Sequence, residues 1–193
     1  MLPLWRLTRN RFGKRLHAVL DAAGITVSRL YEYRTPRRPA GKMASSPTGV
    51  TIRPVDPSAL PAAVPTSELV DAETVLAAVD DVTDELAGYL FVSVDARVPV
   101  PELRTTLSFD GGYVRRLYVA PDHRQRGIAT ALVDAARAHA AGRDAPDTAA
   151  LVAVDNRPSQ WTFESRGFER VARHAYDRVG GLERRRRRPL PDD

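Results

Sequence analysis

The fold of this chain is decided by one stretch, Leu117-Tyr118-Val119-Ala120-Pro121-Asp122-His123-Arg124-Gln125-Arg126-Gly127-Ile128-Ala129-Thr130-Ala131-Leu132. It begins inside Tyr113–Val119, a run rich in β-branched and aromatic residues that predicts a strand, which Pro121 ends. Apolar residues then recur at helical spacing, which predicts a helix from about Gln125 to Ala141, closed by Gly142. The stretch therefore predicts a strand, a tight turn and a helix in direct succession.

The turn between this strand and this helix has the chemistry of an anion site. Gly127 allows the backbone to approach a ligand closely, and the first N–H groups of a helix have no partner inside the helix. Those groups lie at the positive end of the helix dipole, where a diphosphate accepts several hydrogen bonds. Arg124 and Arg126 can add charge-assisted bonds. By itself the pattern also fits a helix start with solvated arginines.

The rest of the chain predicts a mixed α/β domain without internal repeats. Residues 95–112 contain two prolines and end in two glycines, so most of them are expected to form a loop. The other predicted elements are strands at 50–54, 74–79, 86–94 and 149–154, one or two strands within 168–178, and short helices within 58–70 and at 159–166, the last capped by Ser159. Residues 74–94 are expected to form an antiparallel hairpin.

Charge divides the chain into three predicted parts. Residues 1–48 form a basic N-terminal extension, with an amphipathic helix at 4–22 and a proline- and serine-rich linker at 35–48. Residues 49–178 form the acidic main domain, and residues 179–193 form an arginine-rich tail. The basic ends suit nucleic acid or an anionic membrane surface. For the helix, packing on the body or on a second subunit of a homodimer is favoured. For the tail, a solvated segment is favoured.

Composition excludes several classes of function. The sequence has no cysteine, which removes disulfides, thiolate metal sites and a cysteine nucleophile. Its four histidines are not spaced as metal ligands, and no Gly-x-x-x-x-Gly-Lys loop is present, so we expect no metal and no nucleoside triphosphate chemistry of that type. Without an apolar run of about 20 residues or a secretory signal, a cytoplasmic protein is expected.

A second motif adds to the strand–turn–helix unit. Asn156 follows the strand at 149–154, and a short helix then leads to Gly167-Phe168. With Arg-x-x-Gly-x-Ala after Pro121, this order resembles the GNAT superfamily of acetyl-CoA-dependent N-acyltransferases over about residues 50–178. The resemblance implies an α/β fold with a GNAT-like mixed, mostly antiparallel central sheet of six to seven strands flanked by helices, here preceded by a basic N-terminal extension.

The resemblance also implies roles for particular residues. The strand end at Leu117, Tyr118 and Val119 would hold the pantetheine arm of acetyl-CoA through its backbone, and Val119 N–H would stabilise the oxyanion. Asn156 would hydrogen-bond the pantetheine; the alternative is a turn residue. Phe163 would line the thiol end; the alternative is core packing. The predicted diphosphate turn consists of Arg124, Gln125, Arg126, Gly127, Ile128, Ala129 and Thr130.

The acid and the base of the reaction stay open at this stage. Phe163 stands where many family members have a tyrosine acid, and Arg115 and Arg116 stand near where many have a glutamate. The candidate substitutes are Tyr118, His123, Tyr176 and Glu102, and loss of the amine proton to water is a further alternative. Arg115 and Arg116 predict an acceptor that carries a carboxylate or another anionic group.

The sequence therefore predicts direct transfer of an acetyl group from acetyl-CoA to an amine of a small molecule or a protein. Two alternatives remain. One is a non-catalytic acyl-CoA-binding regulatory module, which the missing tyrosine and glutamate favour. The other is a nucleic-acid-associated protein, which the basic ends favour.

Overall fold

The computed structural model describes residues 25–35, 47–71, 73–145 and 147–191. Within these ranges it contains eight strands and two α-helices. In chain order they are β1 (Ile25–Arg34), β2 (Val50–Val55), β3 (Thr74–Asp80), β4 (Leu86–Val100), β5 (Thr105–Val119), α1 (Ile128–Ala141), β6 (Thr148–Ala153), α2 (Arg157–Glu164), β7 (Glu169–Val179) and β8 (Leu182–Pro189). The helix expected at 4–22 lies outside the described residues. Neither of the two described helices is long and apolar enough to cross a bilayer.

All eight strands form one sheet in the order β2-β3-β4-β5-β6-β1-β7-β8. Every neighbouring pair is antiparallel except β5 and β6, which run parallel. The predicted class, a mixed and mostly antiparallel sheet with flanking helices, is confirmed. The sheet has more strands than the six to seven expected, because β1 and β8 come from the segments that were assigned to the N-terminal extension and to the tail.

Strand β1 lies between β6 and β7, so the boundary expected at residue 48 does not coincide with an edge of the sheet. Its sequence alternates in the manner of a strand: Leu30 is buried against one face, and Tyr31 and Tyr33 pack against the other. The helix predicted at 4–22 and the prolines after Arg34 are stronger local signals than this alternation, so the sequence did not predict β1.

Residues 95–112 were expected to form a loop, but they complete a long hairpin between β4 and β5. Val98 pairs with Leu107, and Val100 pairs with Thr105. The loop prediction depended partly on Gly111-Gly112, but Gly112 is required by packing, since a Cβ there would lie 2.8 Å from the Cβ of Ala140 in α1. Gly112 therefore marks a close approach between strand and helix, whereas Gly111 has a left-handed φ of 94° and packs against Asp147.

Three helix predictions change in detail. Pro61 and Pro65 interrupt residues 58–70, so that two short 3₁₀ turns, Pro57–Ala59 and Thr66–Glu68, replace the one helix expected there. Helix α1 begins at Ile128 and not near Gln125, because Gln125 and Gly127 have positive φ. Helix α2 begins at Arg157 with Asn156 at its N-cap position, two residues before the predicted start.

The two faces of the sheet are covered differently. Helices α1 and α2 cover one face, where Leu90, Val114 and Leu132 belong to the largest apolar cluster. The opposite face is covered by the 3₁₀ turns near residues 57–68 and by the β4–β5 hairpin, which bury Phe91 and Tyr113. Burial of each such side chain stabilises the fold by about 1.5–3 kcal/mol.

The arginine run at 184–188 forms most of β8, where a solvated tail was expected. Residues alternate across this edge strand, so Arg187 turns onto the sheet, where its Nε donates to Glu32 Oε2 at 3.0 Å. His174 Nε2 lies 2.9 Å from the same oxygen, and Arg34 Nε donates to Oε1 at 2.8 Å. Burial alone would raise the pKa of Glu32, but these hydrogen bonds outweigh it and hold the pKa at about 2.

We predict that Glu32→Gln lowers the free energy of unfolding by about 3 kcal/mol at pH 7. The folded pKa is depressed, so the stabilisation is fully present above pH 4.5 and is lost as the pH falls from 4.5 towards about 2. Urea unfolding at several pH values would show the gap between variant and wild type narrowing across that window. Glu85→Gln, at an exposed carboxylate between β3 and β4, should cost less than about 0.5 kcal/mol. If the difference in unfolding free energy between wild type and Glu32→Gln does not change with pH, the depressed pKa of Glu32 is contradicted.

Candidate functional site

The sheet opens between β5 and β6. These two strands pair only where Gly112, Tyr113 and Val114 face Thr148–Ala150, and they continue to Val119 and Ala153 without pairing to each other. A β-bulge accompanies the opening. Tyr89 pairs with Tyr118 and Phe91 with Arg115, so two residues of β5 face one residue of β4, and Arg116 adopts a positive φ of 56°. A bulge bends its strand, which turns the end of β5 away from β6.

A cleft of about 370 Å³ occupies this opening. Val152 and Phe163 line it and belong to the apolar cluster on the helix side of the sheet. Leu30 and Tyr113 also line it, and they belong to clusters on the opposite side. The cleft therefore passes through the sheet, and two ligands can approach each other in it from opposite faces.

The backbone at the end of β5 faces this cleft. A Cβ on Gly88 of β4 would lie 2.7 Å from Tyr118 O, and Ala120 N–H donates to Ala87 O at 2.9 Å. Both of these groups point towards β4, so the N–H and the C=O of Val119, which lie between them, point away from β4. Arg124 Nε donates to this carbonyl at 3.1 Å, and Val119 N–H remains directed to the cleft side.

The turn before α1 directs backbone N–H groups outwards. Gln125 has φ 63° and Gly127 has φ 78°, a left-handed conformation that favours glycine. The first bond of the helix runs from Ala131 N–H to Gly127 O at 3.0 Å. Among the described residues, no backbone carbonyl accepts from the N–H groups of Ile128, Ala129 or Thr130. The side chain of Ile128 is buried, so this residue offers only its backbone to a ligand.

Arg126 is held at the rim of this turn. Its guanidinium lies 2.9 Å from His123 Nδ1 and 3.7 Å from Asp80 Oδ2, and it also reaches Thr48 O. Backbone N–H groups of Val82 and Thr83 bond Asp80 and lower its pKa, so this carboxylate is charged beside Arg126. The anion site predicted for residues 124–130 thus consists of outward N–H groups, with the two arginine side chains anchored at its edges.

A comparison with protein families matches residues 46–168, more than half of the chain, to the family described as Acetyltransferase (GNAT) family. This chain belongs to the GNAT family. A search of curated proteins found no match.

Solved structures share the fold. A GCN5-related N-acetyltransferase from Sphaerobacter thermophilus is 17% identical, with TM-score 0.54 over 93% of this chain and 56% of that one. A tandem GNAT protein from the clavulanic acid biosynthesis pathway is 20% identical, with TM-score 0.55 over 95% and 61%. A Drosophila protein is 16% identical, with TM-score 0.59 over 87% and 57%. This chain thus spans less than two thirds of the length of each of the three.

The structure brings part of the predicted GNAT site into the cleft. Leu117, Tyr118, Asn156 and Phe163 line it, and so do Arg115 and Arg116. Val119 and the turn at 124–130 do not line the cavity, and they lie next to it along the chain. This division suits an extended ligand whose anionic end lies at the turn and whose reactive end lies in the cleft.

The position of Asn156 depends on Gln160, a residue that the sequence did not indicate. The side-chain amide of Asn156 donates to Ser159 Oγ at 2.8 Å, and Ser159 also lines the cleft. Gln160 is completely buried, and its amide donates to Ala153 O at 3.0 Å and to Val154 O at 2.9 Å. Because these carbonyls end β6, Gln160 ties α2 to the strand end and fixes the position of Asn156. A fully buried glutamine carries no motif that sequence alone could reveal.

Of the four candidates for acid and base, two reach the cleft. Tyr118 and Glu102 line it, whereas Tyr176 of β7 is buried in the cluster with Leu30 and Leu103, and His123 contacts Arg126 outside the cavity.

Phe163, in place of a tyrosine, is buried against Tyr33 and Phe168, with ring centroids 6.2 Å and 5.0 Å apart. The Tyr33 hydroxyl cannot replace a tyrosine acid here. It donates to Glu164 at 2.8 Å, and burial together with that bond raises its pKa to about 12.

Both arginines predicted to bind the acceptor have carboxylate partners. Arg115 forms a two-fold bond with Glu73, with both contacts at 2.6 Å, and its guanidinium lies 5.5 Å from the centroid of the Phe91 ring. Arg116 bonds the carboxylate of Glu68, and both of these side chains are about 40% exposed. Among the described residues, no cluster of three His, Asp or Glu side chains is arranged to hold a metal ion.

We predict that Arg115→Ala lowers the free energy of unfolding by about 3 kcal/mol, because the completely buried Glu73 carboxylate loses its partner. Arg116→Ala is the matched control, and it should cost at most about 1 kcal/mol because its ion pair is exposed. Urea unfolding at pH 7 measures both values. Equal costs for the two variants would show that the pair of Arg115 with Glu73 does not stabilise the fold.

We predict that Gly127→Val weakens coenzyme A binding at least about tenfold, since a β-branched residue strains the left-handed turn that presents the N–H groups. Gly181→Ala is the control, because it lies in the β7–β8 turn with open space around it. Isothermal calorimetry with coenzyme A measures both. Unchanged affinity for Gly127→Val would exclude this turn as the diphosphate site.

Proposed function

We propose that this chain transfers an acetyl group from acetyl-CoA directly to an amine. The observation that supports this most is the cleft through the sheet, which has the anion-binding turn of α1 beside one end and a separate wall of side chains at the other. An acyl donor and an acceptor can enter from opposite faces and meet at the end of β5. Membership of a family described as acetyltransferases supports the choice of acetyl as the acyl group.

The chain's own groups fit the coenzyme. The N–H groups of residues 128–130, which have no acceptor within the described part of the chain, suit a diphosphate. The edge of β5 at Leu117–Val119, which does not pair with β6, suits an amide-bearing arm that lies beside it as an added strand. Asn156, at the end of β6, offers a further polar contact across the opening. Bound in this way, acetyl-CoA would supply the activated acyl group.

The reaction needs an oxyanion donor, a proton acceptor and dry surroundings. Val119 N–H points to the unpaired side of β5, next to the cleft, and in this proposal it bonds the developing oxyanion. Phe163 presents an apolar ring that excludes water from the reacting centre. In this proposal the amine proton goes to water. Of the remaining candidates, Tyr118 carries the hydroxyl group that would donate a proton to the leaving thiolate, and its side chain is 42% exposed.

A second function, an acyl-CoA-binding module without catalysis, is favoured by one observation. Phe163 cannot donate a proton, and Tyr33 beside it has a raised pKa and is bonded to Glu164. Such a module would bind the coenzyme through the same turn and would release no thiol.

Purified full-length chain with acetyl-CoA and a panel of primary amines tests the proposal. We expect free thiol to appear only when an amine is present, at a rate that Gly127→Val lowers and Gly181→Ala does not change. Coenzyme binding by calorimetry without thiol release from any amine would establish the binding module instead. Neither binding nor thiol release would contradict both functions.

A further inference from the structure

The cleft has an uneven distribution of charge. Three charged residues line it: Glu102, Arg115 and Arg116. The two arginines are paired with Glu73 and Glu68, as described above. Glu102 is exposed and forms no ion pair with any described residue. The charge that the cleft leaves available to a ligand is therefore a carboxylate, although the sequence suggested a receptor for anions.

Glu102 is carried by a turn that the fold holds in place. The 3₁₀ turn Pro101–Leu103 joins β4 to β5 and ends at Arg104, whose φ is 47°. Leu103 is buried in a cluster with Leu30 and Tyr176, so the turn is packed onto the sheet on its inner side. The carboxylate thus stands at the rim of the cleft on a rigid support.

The arginine strand supplies the outer support of this turn. Arg185 Nε donates to Leu103 O at 2.9 Å, and its Nη2 donates to Arg104 O, also at 2.9 Å. The guanidinium lies 5.0 Å from the centre of the Tyr176 ring, which adds a cation–π contact. Two backbone carbonyls of the Glu102 turn are therefore bonded to β8 by one side chain.

We propose that Glu102, positioned by Arg185, selects an acceptor that carries a second positive charge besides the amine that is acetylated. This inference rests on the proposed acetyl transfer. The carboxylate bonds the distal cation and places the free amine towards the end of β5. An acceptor with a carboxylate at that position meets an uncompensated like charge and is rejected. A charge-assisted hydrogen bond of this kind raises acceptor affinity about tenfold.

Three acceptors of equal length test the inference: putrescine, aminobutanol and aminobutanoate, each with acetyl-CoA and the full chain. Thiol release by the wild type should give the highest kcat/KM for putrescine and the lowest for aminobutanoate. Glu102→Gln should lower kcat/KM for putrescine about tenfold, mainly through KM, and leave aminobutanol nearly unchanged. Asp110→Asn, on the same hairpin but outside the cleft lining, is the control and should change neither. An unchanged order of preference in Glu102→Gln overturns the inference.

Arg185→Gln tests the support. It should raise KM for putrescine several-fold with little change in kcat and in coenzyme A affinity, provided that thermal melting shows a folded variant. Arg184→Gln is the matched control, since Arg184 is adjacent in β8 and points to the opposite face. Equal KM values for the two variants, or a loss confined to kcat, would show that Arg185 does not position Glu102.

Calorimetry separates failure of this inference from failure of the proposed function. Putrescine is titrated into the coenzyme A complex of the wild type and of Glu102→Gln. Suppose that no amine releases thiol but that putrescine binds the wild type about tenfold more tightly than it binds Glu102→Gln. Acetyl transfer is then wrong, and the recognition of the second cation by Glu102 is supported. Equal binding to both proteins, or no binding to the wild type, overturns the inference whatever the activity.

Discussion

The site depends on the shortness of one strand pairing. Strands β5 and β6 pair only along Gly112–Val114 and Thr148–Ala150, and the bulge at Arg116 then turns β5 away. If this pairing continued to Val119, the backbone that faces the cleft would bond β6, and the sheet would have no opening. The unpaired strand ends thus leave hydrogen-bonding groups for a ligand, as at the switch points of other open sheets.

Arginine side chains join elements of the fold more than they contribute free charge. Arg115 is paired with Glu73, Arg124 bonds the end of β5, and Arg187 bonds the buried Glu32. Each guanidinium has several donors in fixed directions, which suits it to join two elements at once. The overall positive charge of +5 therefore says little about the cleft, whose available charge is negative.

Local sequence predicted the elements that carry a local signal. The strand before Pro121, the turn at Gly127 and the short helix after Asn156 were recognisable because turn residues, periodicity and motif spacing act within a few positions. The hydrogen bonds from Arg185 to the carbonyls of Leu103 and Arg104 could not be recognised in this way. Their partners are separated by 82 and 81 positions in the chain, and the acceptors are backbone atoms. Strand β1 was missed although its residues alternate as in a strand, and only its place between β6 and β7 is decided by long-range pairing.

The central claim is that the opening between β5 and β6, with the turn before α1, binds the acyl donor. Amide hydrogen exchange with and without acetyl-CoA, followed by mass spectrometry, tests it most directly. The account predicts slower exchange in peptides that cover residues 117–131 and 153–160, with little change in β2 and β8. Protection confined to other segments, or no protection at saturating acetyl-CoA, would contradict it.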